Sequence, residues 1–341
     1  MQTDSPVLWI FNPDTDYALA SNRRYYTPPA SVITLRRNLA LTFLPIAKRG
    51  QDAILLLDNI SHPEIELLSN YREAICNGIE IVTIEQLRNN PEKWCSFIPK
   101  PWGWNKSLLY LLKESVGTMP DLPTEFDIDN VRRLSHRRTS IEMLNFLQPI
   151  TKDEITIPFE TSDISRIVTE FNKNHNLYLK APWSSSGRGI LFGGDLELKH
   201  VEPWARGIIR KQGSLIIEKA YIRNLDFASE WYIENGEVEF IGYSVFNVSN
   251  RGKYHGNLLL NQKEIIKLIE TKCYWDPYII KHQKNAIKSI IAPSYSGPLG
   301  IDMLATASGA INPCVEINLR YTMGHIAIYQ ELNNNIGKFH I

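Results

Sequence analysis

The chain has 341 residues, more than the roughly 250–300 over which a single hydrophobic core grows, so its length predicts two or three domains. Lysine plus arginine and aspartate plus glutamate both number 37, which gives a net charge of zero and argues against a protein that coats nucleic acid or lies on a membrane surface. The 4 cysteines lack the Cys-x-x-Cys spacing of a zinc site, and no apolar run approaches the about 20 residues of a membrane span. Since no signal-like segment opens the sequence either, we expect a cytoplasmic protein that acts on small molecules.

Apolar runs alternate with helical stretches over roughly the first 115 residues, which predicts a parallel α/β layer. Residues 12–16, Asn-Pro-Asp-Thr-Asp, follow the first strand at the end where parallel sheets bind ligands, so they either touch substrate or only connect two elements. Residues 99–104, Pro-Lys-Pro-Trp-Gly-Trp, predict a rigid connector with packed tryptophans. The predicted strands are 7–11, 53–57 and 79–84, and the predicted helices are 34–48 and 63–77.

A loop rich in serine and glycine follows an apolar strand that delivers Lys180. Residues 180–189 read Lys-Ala-Pro-Trp-Ser-Ser-Ser-Gly-Arg-Gly, and the two glycines allow backbone geometry in which amides and hydroxyls converge on an anion. The loop predicts phosphate binding, and the alternative is a polar hairpin with a chance lysine before it. We expect residues 184–189 to move and to close over bound phosphates. Around the loop the sequence predicts one helical region at 129–147, helices at 162–174 and 198–211, and strands at 190–192 and 214–220.

Near its end the chain predicts a hairpin with a cluster of hard oxygen ligands. Because side chains alternate along a strand, Glu316, Asn318 and Arg320 share one face, and the hairpin can bring Asp302 beside Glu316. Carboxylates with an arginine suit magnesium that bridges phosphates, and the alternative is a solvated hairpin face. Farther upstream, Asn235-Gly236 predicts a type I′ turn. The predicted strands here are 231–233, 238–245, 301–306 and 313–318, and the predicted helices are 262–273 and 277–291.

One further segment is suited to a nucleoside. Residues 215–221 form an apolar strand that carries Glu218 near its end, and Asp226 follows shortly after. An apolar slot with exposed backbone edges suits a nucleotide base, and a carboxylate accepts hydrogen bonds from ribose hydroxyls. The alternative is an interdomain strand with charged ends.

Taken in order, these segments resemble the ATP-grasp superfamily of carboxylate ligases, over about residues 130 to 325. The loop 180–189 is similar to that of the formate-dependent glycinamide ribonucleotide transformylase, and residues 316–320, Glu-Ile-Asn-Leu-Arg, resemble the closing motif of carbamoyl-phosphate-synthetase-like members. The resemblance implies a mixed α/β and α+β fold. Its expected parts are an N-terminal parallel α/β domain at 1–118, a small ATP-grasp subdomain at 119–213 and a C-terminal subdomain at 214–341.

The resemblance also implies a role for each matching residue. Lys180 and Arg138 contact ATP phosphates, with Arg137 as the alternative to Arg138, and Lys180 and Arg320 are the catalytic cations. The sequence departs from the common pattern at Arg188, where a lysine is common, at Trp183, and at Asp302, where many members have glutamate. The remaining implied contacts are the loop residues Ser184, Ser185, Ser186, Gly187 and Gly189 with phosphates, Glu218, Lys219 and Tyr221 with adenine, Asp226 with ribose, and Asp302, Glu316 and Asn318 with magnesium or manganese.

The implied reaction is an ADP-forming ligation that creates a carbon–nitrogen bond. A small-molecule carboxylate attacks the terminal phosphoryl group of ATP, and an amine, or in a second version a thiol, captures the acyl phosphate. Two alternatives stay open: a small-molecule kinase that stops at the phosphorylated product, and a non-catalytic nucleotide-binding module. The sequence does not identify the carboxylate, the acceptor or the oligomeric state, and it gives no role to residues 244–257. A dinucleotide-binding fold and a P-loop are excluded, because neither glycine pattern is present.

Overall fold

A computed structural model describes residues 5–58, 65–151, 154–184, 189–194, 196–248 and 254–338 of the chain. The chain divides into two units, Met1–Val131 with Tyr329–Ile341, and Arg132–Ile328. The predicted boundaries at 118 and 213 stay predictions. In the part of the chain that the structure describes, no helix is both long and apolar enough to cross a membrane.

The first unit is built on a four-stranded parallel sheet in the order β3-β2-β1-β4. Its central strands are apolar at every position and fully buried, as expected for strands that are covered on both faces. The parallel layer predicted from the alternation of elements is confirmed. The elements are β1 (Val7–Ile10), α1 (Thr15–Ser21), α2 (Ala30–Asn38), β2 (Ala53–Leu56), α3 (Ile65–Cys76), β3 (Glu80–Thr83), α4 (Ile84–Asn89), α5 (Pro91–Trp94), β4 (Ile98–Pro101), α6 (Lys106–Ser115) and α7 (Glu125–Leu134), which runs on into the second unit.

The predicted connector at residues 99–104 is wrong in part, because its first residues belong to β4. The backbone amides of Ile98 and Trp102 donate toward the β1 side, so by alternation Pro99 and Pro101 face the open edge, where no amide is needed. Because two prolines in four residues are unusual in a strand, the sequence pattern does not predict this edge strand. Trp102 is a packing residue as expected, since its ring lies edge-on to Phe11 at 5.0 Å.

The second unit contains two antiparallel sheets, one in the order β5-β8-β6-β7 and one in the order β11-β10-β9-β12-β13. The larger sheet carries the long strands β9 and β10, which are joined at Asn235-Gly236 with φ of 51° and 78°. Two positive φ values are what a type I′ turn requires, so that prediction is confirmed. The elements are α8 (Arg138–Leu147), a 3₁₀ turn (Gln148–Ile150), β5 (Phe159–Thr161), α9 (Ile164–Lys173), β6 (Leu177–Lys180), β7 (Ile190–Phe192), α10 (Leu198–Gln212), β8 (Leu215–Lys219), β9 (Arg223–Glu234), β10 (Glu237–Val248), β11 (Tyr254–Asn257), α11 (Gln262–Lys272), α12 (Ile279–Ile290), β12 (Gly297–Thr306), β13 (Ile311–Asn318) and α13 (Met323–Lys338).

The prediction of one helical region at 129–147 is wrong, because the helix is interrupted between α7 and α8. At the break the backbone amide of Arg137 donates to Pro182 O at 3.1 Å, and the amide of Arg138 donates to His136 Nδ1 at 3.0 Å. The first of these bonds replaces a helical bond with a contact to a distant segment. As a result, Arg137 stands at the start of α8, next to the residues that follow β6.

Candidate active site

Lys180 and Glu218 form a buried ion pair on neighbouring strands of the smaller sheet. Lys180 ends β6 and Glu218 lies on β8, where the antiparallel register pairs Glu218 with Tyr178. Lys180 Nζ lies 2.5 Å from Glu218 Oε2, and the two side chains are 7% and 10% exposed. A buried lysine is held by a carboxylate here, at the end of the strand that leads into the serine and glycine loop.

The loop itself is described at its two ends only. The amide of Ala181 donates to Gly189 O at 2.8 Å, and a Cβ added to Gly189, whose φ is 70°, would lie 2.8 Å from Ser184 Cβ. Gly189 is therefore required both by its backbone conformation and by the close approach of Ser184. The contacts predicted for Ser185, Ser186 and Gly187, and most of the segment expected to close over phosphates, lie outside the described residues.

Trp183 anchors the entry to this loop. Its indole Nε1 donates to Arg132 O at 2.9 Å, its backbone amide donates to Gln212 Oε1 at 2.9 Å, and the Arg132 guanidinium lies 4.0 Å from the centre of its ring. His136 packs edge-on against the same ring at 4.5 Å. The residue that departs from the family pattern at this position therefore fixes the segment next to Lys180.

Arg137 and Arg138 occupy different environments although they are adjacent in sequence. The side chain of Arg137 is 6% exposed, and its guanidinium donates to Ala181 O at 3.0 Å and to Ser184 Oγ at 2.9 Å, while Nη2 lies 2.8 Å from Glu316 Oε1. The side chain of Arg138 is 68% exposed and pairs with Glu160. The structure thus brings Arg137 to the loop and to Glu316, and it places Arg138 against Glu160.

The predicted hard-ligand cluster lies on adjacent strands of the larger sheet. The register of β12 and β13 places Asp302 directly opposite Glu316, as the hairpin spacing predicted. Asn318 Oδ1 accepts a hydrogen bond from Arg320 Nη2 at 2.9 Å. Among the described residues no group of three His, Cys, Asp or Glu side chains could hold a metal, so the candidate donor set is two carboxylates and one amide.

The electrostatics of this cluster favour the binding of a cation. Burial, followed by the neighbouring carboxylates of Glu316 and Glu230, raises the pKa of Asp302 to about 8. Without a cation the site cannot carry both carboxylates ionised near neutral pH, because two negative charges in a buried place repel each other. Two carboxylates and an amide oxygen are ligands that Mg²⁺ accepts, so the residues present fit this ion.

The residues implied for adenine and ribose are placed along β8 and β9. Lys219 is exposed, and its Nζ lies 5.0 Å from the centre of the Tyr221 ring, while Tyr221 Oη accepts from the amide of Thr156 at 2.8 Å. Asp226 lies on β9 and pairs with Arg223 at 2.9 Å. Burial raises the pKa of the Asp226 carboxyl, and Arg223 opposes that rise. Glu218 thus forms an ion pair with Lys180, and Asp226 forms one with Arg223.

A buried polar network around Glu230 was missed from the sequence. Glu230 is 1% exposed on β9, and its carboxyl group accepts hydrogen bonds from Ser244 Oγ at 2.9 Å and Thr322 Oγ1 at 2.8 Å. A Cβ added at Gly324 would lie 1.9 Å from Glu230 Oε1, and one added at Gly300 would lie 2.8 Å from Oε2. Two glycines therefore make the space in which this carboxyl group is buried.

Hydrogen bonds locate a proton within this network. His325 Nε2 lies 3.2 Å from Trp231 O, and because a carbonyl only accepts, Nε2 must carry hydrogen. His325 Nδ1 accepts a hydrogen bond from the backbone amide of Thr322 at 3.2 Å, so Nδ1 carries no hydrogen and the imidazole is neutral; Nδ1 also lies 3.1 Å from Glu230 Oε2. Burial raises the pKa of Glu230 to about 7 and lowers the pKa of His325 to about 4, which places the proton on Glu230. Between about pH 4 and pH 7 the pair is neutral, with the proton on the Glu230 carboxyl group.

No family model matches the sequence, and no curated protein is significantly similar to it. Solved structures are similar in fold. N5-carboxyaminoimidazole synthetase from Staphylococcus aureus is 12% identical, with 97% of this chain and 78% of that chain covered and a TM-score of 0.50. A biotin carboxylase–ATP complex from Campylobacter jejuni is 13% identical, with 96% and 70% covered and a TM-score of 0.52.

A third similar structure contains a bound nucleotide. N5-carboxyaminoimidazole synthase from Aspergillus clavatus, in complex with ADP and 5-aminoimidazole ribonucleotide, is 12% identical, with 94% of this chain and 71% of that chain covered and a TM-score of 0.50. These proteins are ATP-grasp enzymes, so the chain has the ATP-grasp fold and the predicted fold class is confirmed.

Proposed function

We propose that this chain with the ATP-grasp fold is an ATP- and magnesium-dependent, ADP-forming ligase. It would activate a small-molecule carboxylate as an acyl phosphate and pass the acyl group to an amine. The similar structures include complexes with ATP and with ADP, and all three are enzymes, which supports nucleotide binding and catalysis here. Manganese would substitute for magnesium, because it accepts the same oxygen ligands.

The observation that carries the proposal is the position of the Arg137 guanidinium, which contacts Ser184 at the start of the loop and Glu316 in the hard-ligand cluster. A loop suited to phosphate and a cluster suited to magnesium therefore meet at one buried cation. Phosphoryl transfer needs this combination, because a terminal phosphate must be held by donors on one side and by a divalent cation on the other.

Each residue of the site has a task in such a reaction. Lys180 and Arg137 would donate hydrogen bonds to phosphate oxygens and offset their charge, and Asp302, Glu316 and Asn318 would hold the cation. Bound magnesium would supply charge neutralisation between phosphate groups. Arg320, whose Nη2 is oriented by Asn318 at 2.9 Å, would stabilise the transferred phosphoryl group. The carboxylate oxygen of the substrate bonds to the terminal phosphorus, ADP leaves, and the amine then displaces phosphate.

Hydroxylamine provides a test that does not require the natural acceptor. It captures acyl phosphates as hydroxamates, so pools of carboxylic acids with ATP, magnesium and hydroxylamine should yield ADP and a hydroxamate in equal amounts. The matched control is the Glu316→Gln protein, which keeps the shape of the side chain and loses a metal ligand. A stable phosphorylated product would support the kinase instead, and tight ATP binding without turnover on every pool would support the non-catalytic module.

A further inference from the structure

Arg137 is a buried cation that lacks one acceptor. Its Nε and Nη2 donate to Ala181 O, Ser184 Oγ and Glu316 Oε1, but Nη1 is buried and has no hydrogen-bond partner among the described residues. Leaving a buried charged donor unpaired costs more than leaving a neutral donor unpaired, so Nη1 is suited to an acceptor such as an anion or a ligand oxygen. Ser184, which accepts from Nη2 of the same guanidinium, is a residue next to which the proposed function puts phosphate.

Glu316 is a candidate partner of two cations, the Arg137 guanidinium and a bound metal ion. In the protein without ligands, its Oε1 lies 2.8 Å from Arg137 Nη2, while its position opposite Asp302 makes it a candidate metal ligand. A guanidinium and a divalent cation compete for this carboxylate, because the two positive charges repel each other in a poorly hydrated site. With side-chain exposures of 6% and 24%, the pair is shielded enough for this competition to matter.

We propose that Arg137 gates the metal site, so that a divalent cation binds well only after a nucleotide has drawn Arg137 away from Glu316. This inference rests on the proposed function, because it takes the position next to Arg137 and Ser184 as the phosphate site. Phosphate oxygens next to Ser184 give the guanidinium the acceptors that it lacks, including one for Nη1, and its contact with Glu316 is then released. Binding energies are reciprocal, so the charge on Glu316 also weakens nucleotide binding when no metal is present.

The first test measures Mn²⁺ alone, without nucleotide, by electron paramagnetic resonance. Arg137→Met should bind Mn²⁺ about tenfold more tightly than the wild type, which is within the usual range of coupling between sites. Arg138→Met is the matched control, because it removes a positive charge from the next residue, which pairs with Glu160 and does not contact Glu316. Equal Mn²⁺ affinity in the wild type and Arg137→Met would overturn the gate.

The second test does not depend on folding of a protein that lacks Arg137. In EDTA, Glu316→Gln should bind ADP about fivefold more tightly than the wild type, because Arg137 no longer has to leave a carboxylate. Asp302→Asn removes a neighbouring carboxyl group that does not contact Arg137, and its metal-free ADP affinity should stay within about twofold of the wild type. An unchanged affinity in Glu316→Gln, or the same gain in both variants, would overturn the gate.

The two tests also separate this inference from the proposed function. If no protein binds ADP with or without metal, the proposed function fails together with the role of nucleotide in the gate. The Mn²⁺ comparison would still decide whether Arg137 competes with metal for Glu316. If ADP binds and Arg137→Met shows no gain for Mn²⁺, the ligase proposal stands and the gate falls.

Discussion

The opposite pKa shifts of the buried neighbours Glu230 and His325 predict that each single substitution creates a pH dependence that the wild type does not have. Burial raises the pKa of Glu230 from 4.5 to about 7 and lowers the pKa of His325 from 6.5 to about 4. Between these limits the folded pair holds one proton, on Glu230. The unfolded chain also holds one proton between pH 4.5 and 6.5, on histidine. Because both states bind the same number of protons, the pair adds almost no slope to stability in that range.

Replacing Glu230 with Gln leaves His325 as the titrating group. Its folded pKa is depressed, so the folded state binds fewer protons than the unfolded state, and stability is lost as the pH falls from about 6.5 toward 4. A shift of about 2.5 pKa units corresponds to about 3 kcal/mol. Gln keeps the shape of a protonated glutamate and can still form hydrogen bonds with the hydroxyl groups of Ser244 and Thr322, so the variant should remain folded at neutral pH.

Replacing His325 with Asn should give the opposite slope. Glu230 then titrates alone with a raised pKa, so the folded state binds more protons, and stability is lost as the pH rises from about 4.5 through 7. The total change is again about 3 kcal/mol, because the shift is of similar size. Substitutions of the two neighbours therefore make the free energy of unfolding change with pH in opposite directions.

Urea unfolding at a series of pH values measures these slopes. Hydrogen exchange of peptides from residues 223–248 assigns the transition to the second unit, and subtracting the wild-type curve cancels the titration of all other groups. The double variant Glu230→Gln with His325→Asn is the control, since it has neither titrating group and should run parallel to the wild type between pH 4.5 and 6.5. If the stability of each single variant changes with pH in the same way as that of the wild type, the opposite pKa shifts of Glu230 and His325 are refuted.

Three further substitutions test the site and its support. Lys180→Ala should weaken ATP binding in magnesium by about tenfold or more, since it removes a buried charge that we propose contacts phosphate. Lys173→Ala, which removes an exposed lysine paired with Glu170, should leave the calorimetric affinity unchanged. Glu316→Gln should lower ADP formation about 100-fold with little loss of fold, because a hard anionic ligand is removed, and normal turnover would mean that the cluster is only a hairpin face. Gly324→Ala should cost about 1–3 kcal/mol, since its Cβ would overlap Glu230 and Ser244, whereas Gly207→Ala, in an open position of α10, should be neutral or stabilising in the same unfolding assay.

The sequence predicted those parts of the fold in which local pattern and tertiary structure agree. The Asn235-Gly236 turn and the pairing of Asp302 with Glu316 both follow from short-range rules, namely turn geometry and strand alternation. The break between α7 and α8 does not follow from such rules, because it is stabilised by the bond from the Arg137 amide to Pro182 O. Spacing from Lys180 could therefore locate an arginine pair but could not show which member faces the loop.

Glu230 escaped prediction for a different reason. Sequence reasoning assigns charge to glutamate and looks for a cation or a metal as its partner, whereas here burial raises the pKa of the carboxyl group to about 7, beside a neutral histidine. The donors Thr322 and Ser244 and the glycine that makes room for the group come from separate elements. The available signal was weak: a glutamate between serine and tryptophan in the middle of an otherwise buried strand. A carboxyl group that is protonated in the folded state is uncharged and forms hydrogen bonds as an amide does. A search for pairs of opposite charges therefore does not find it.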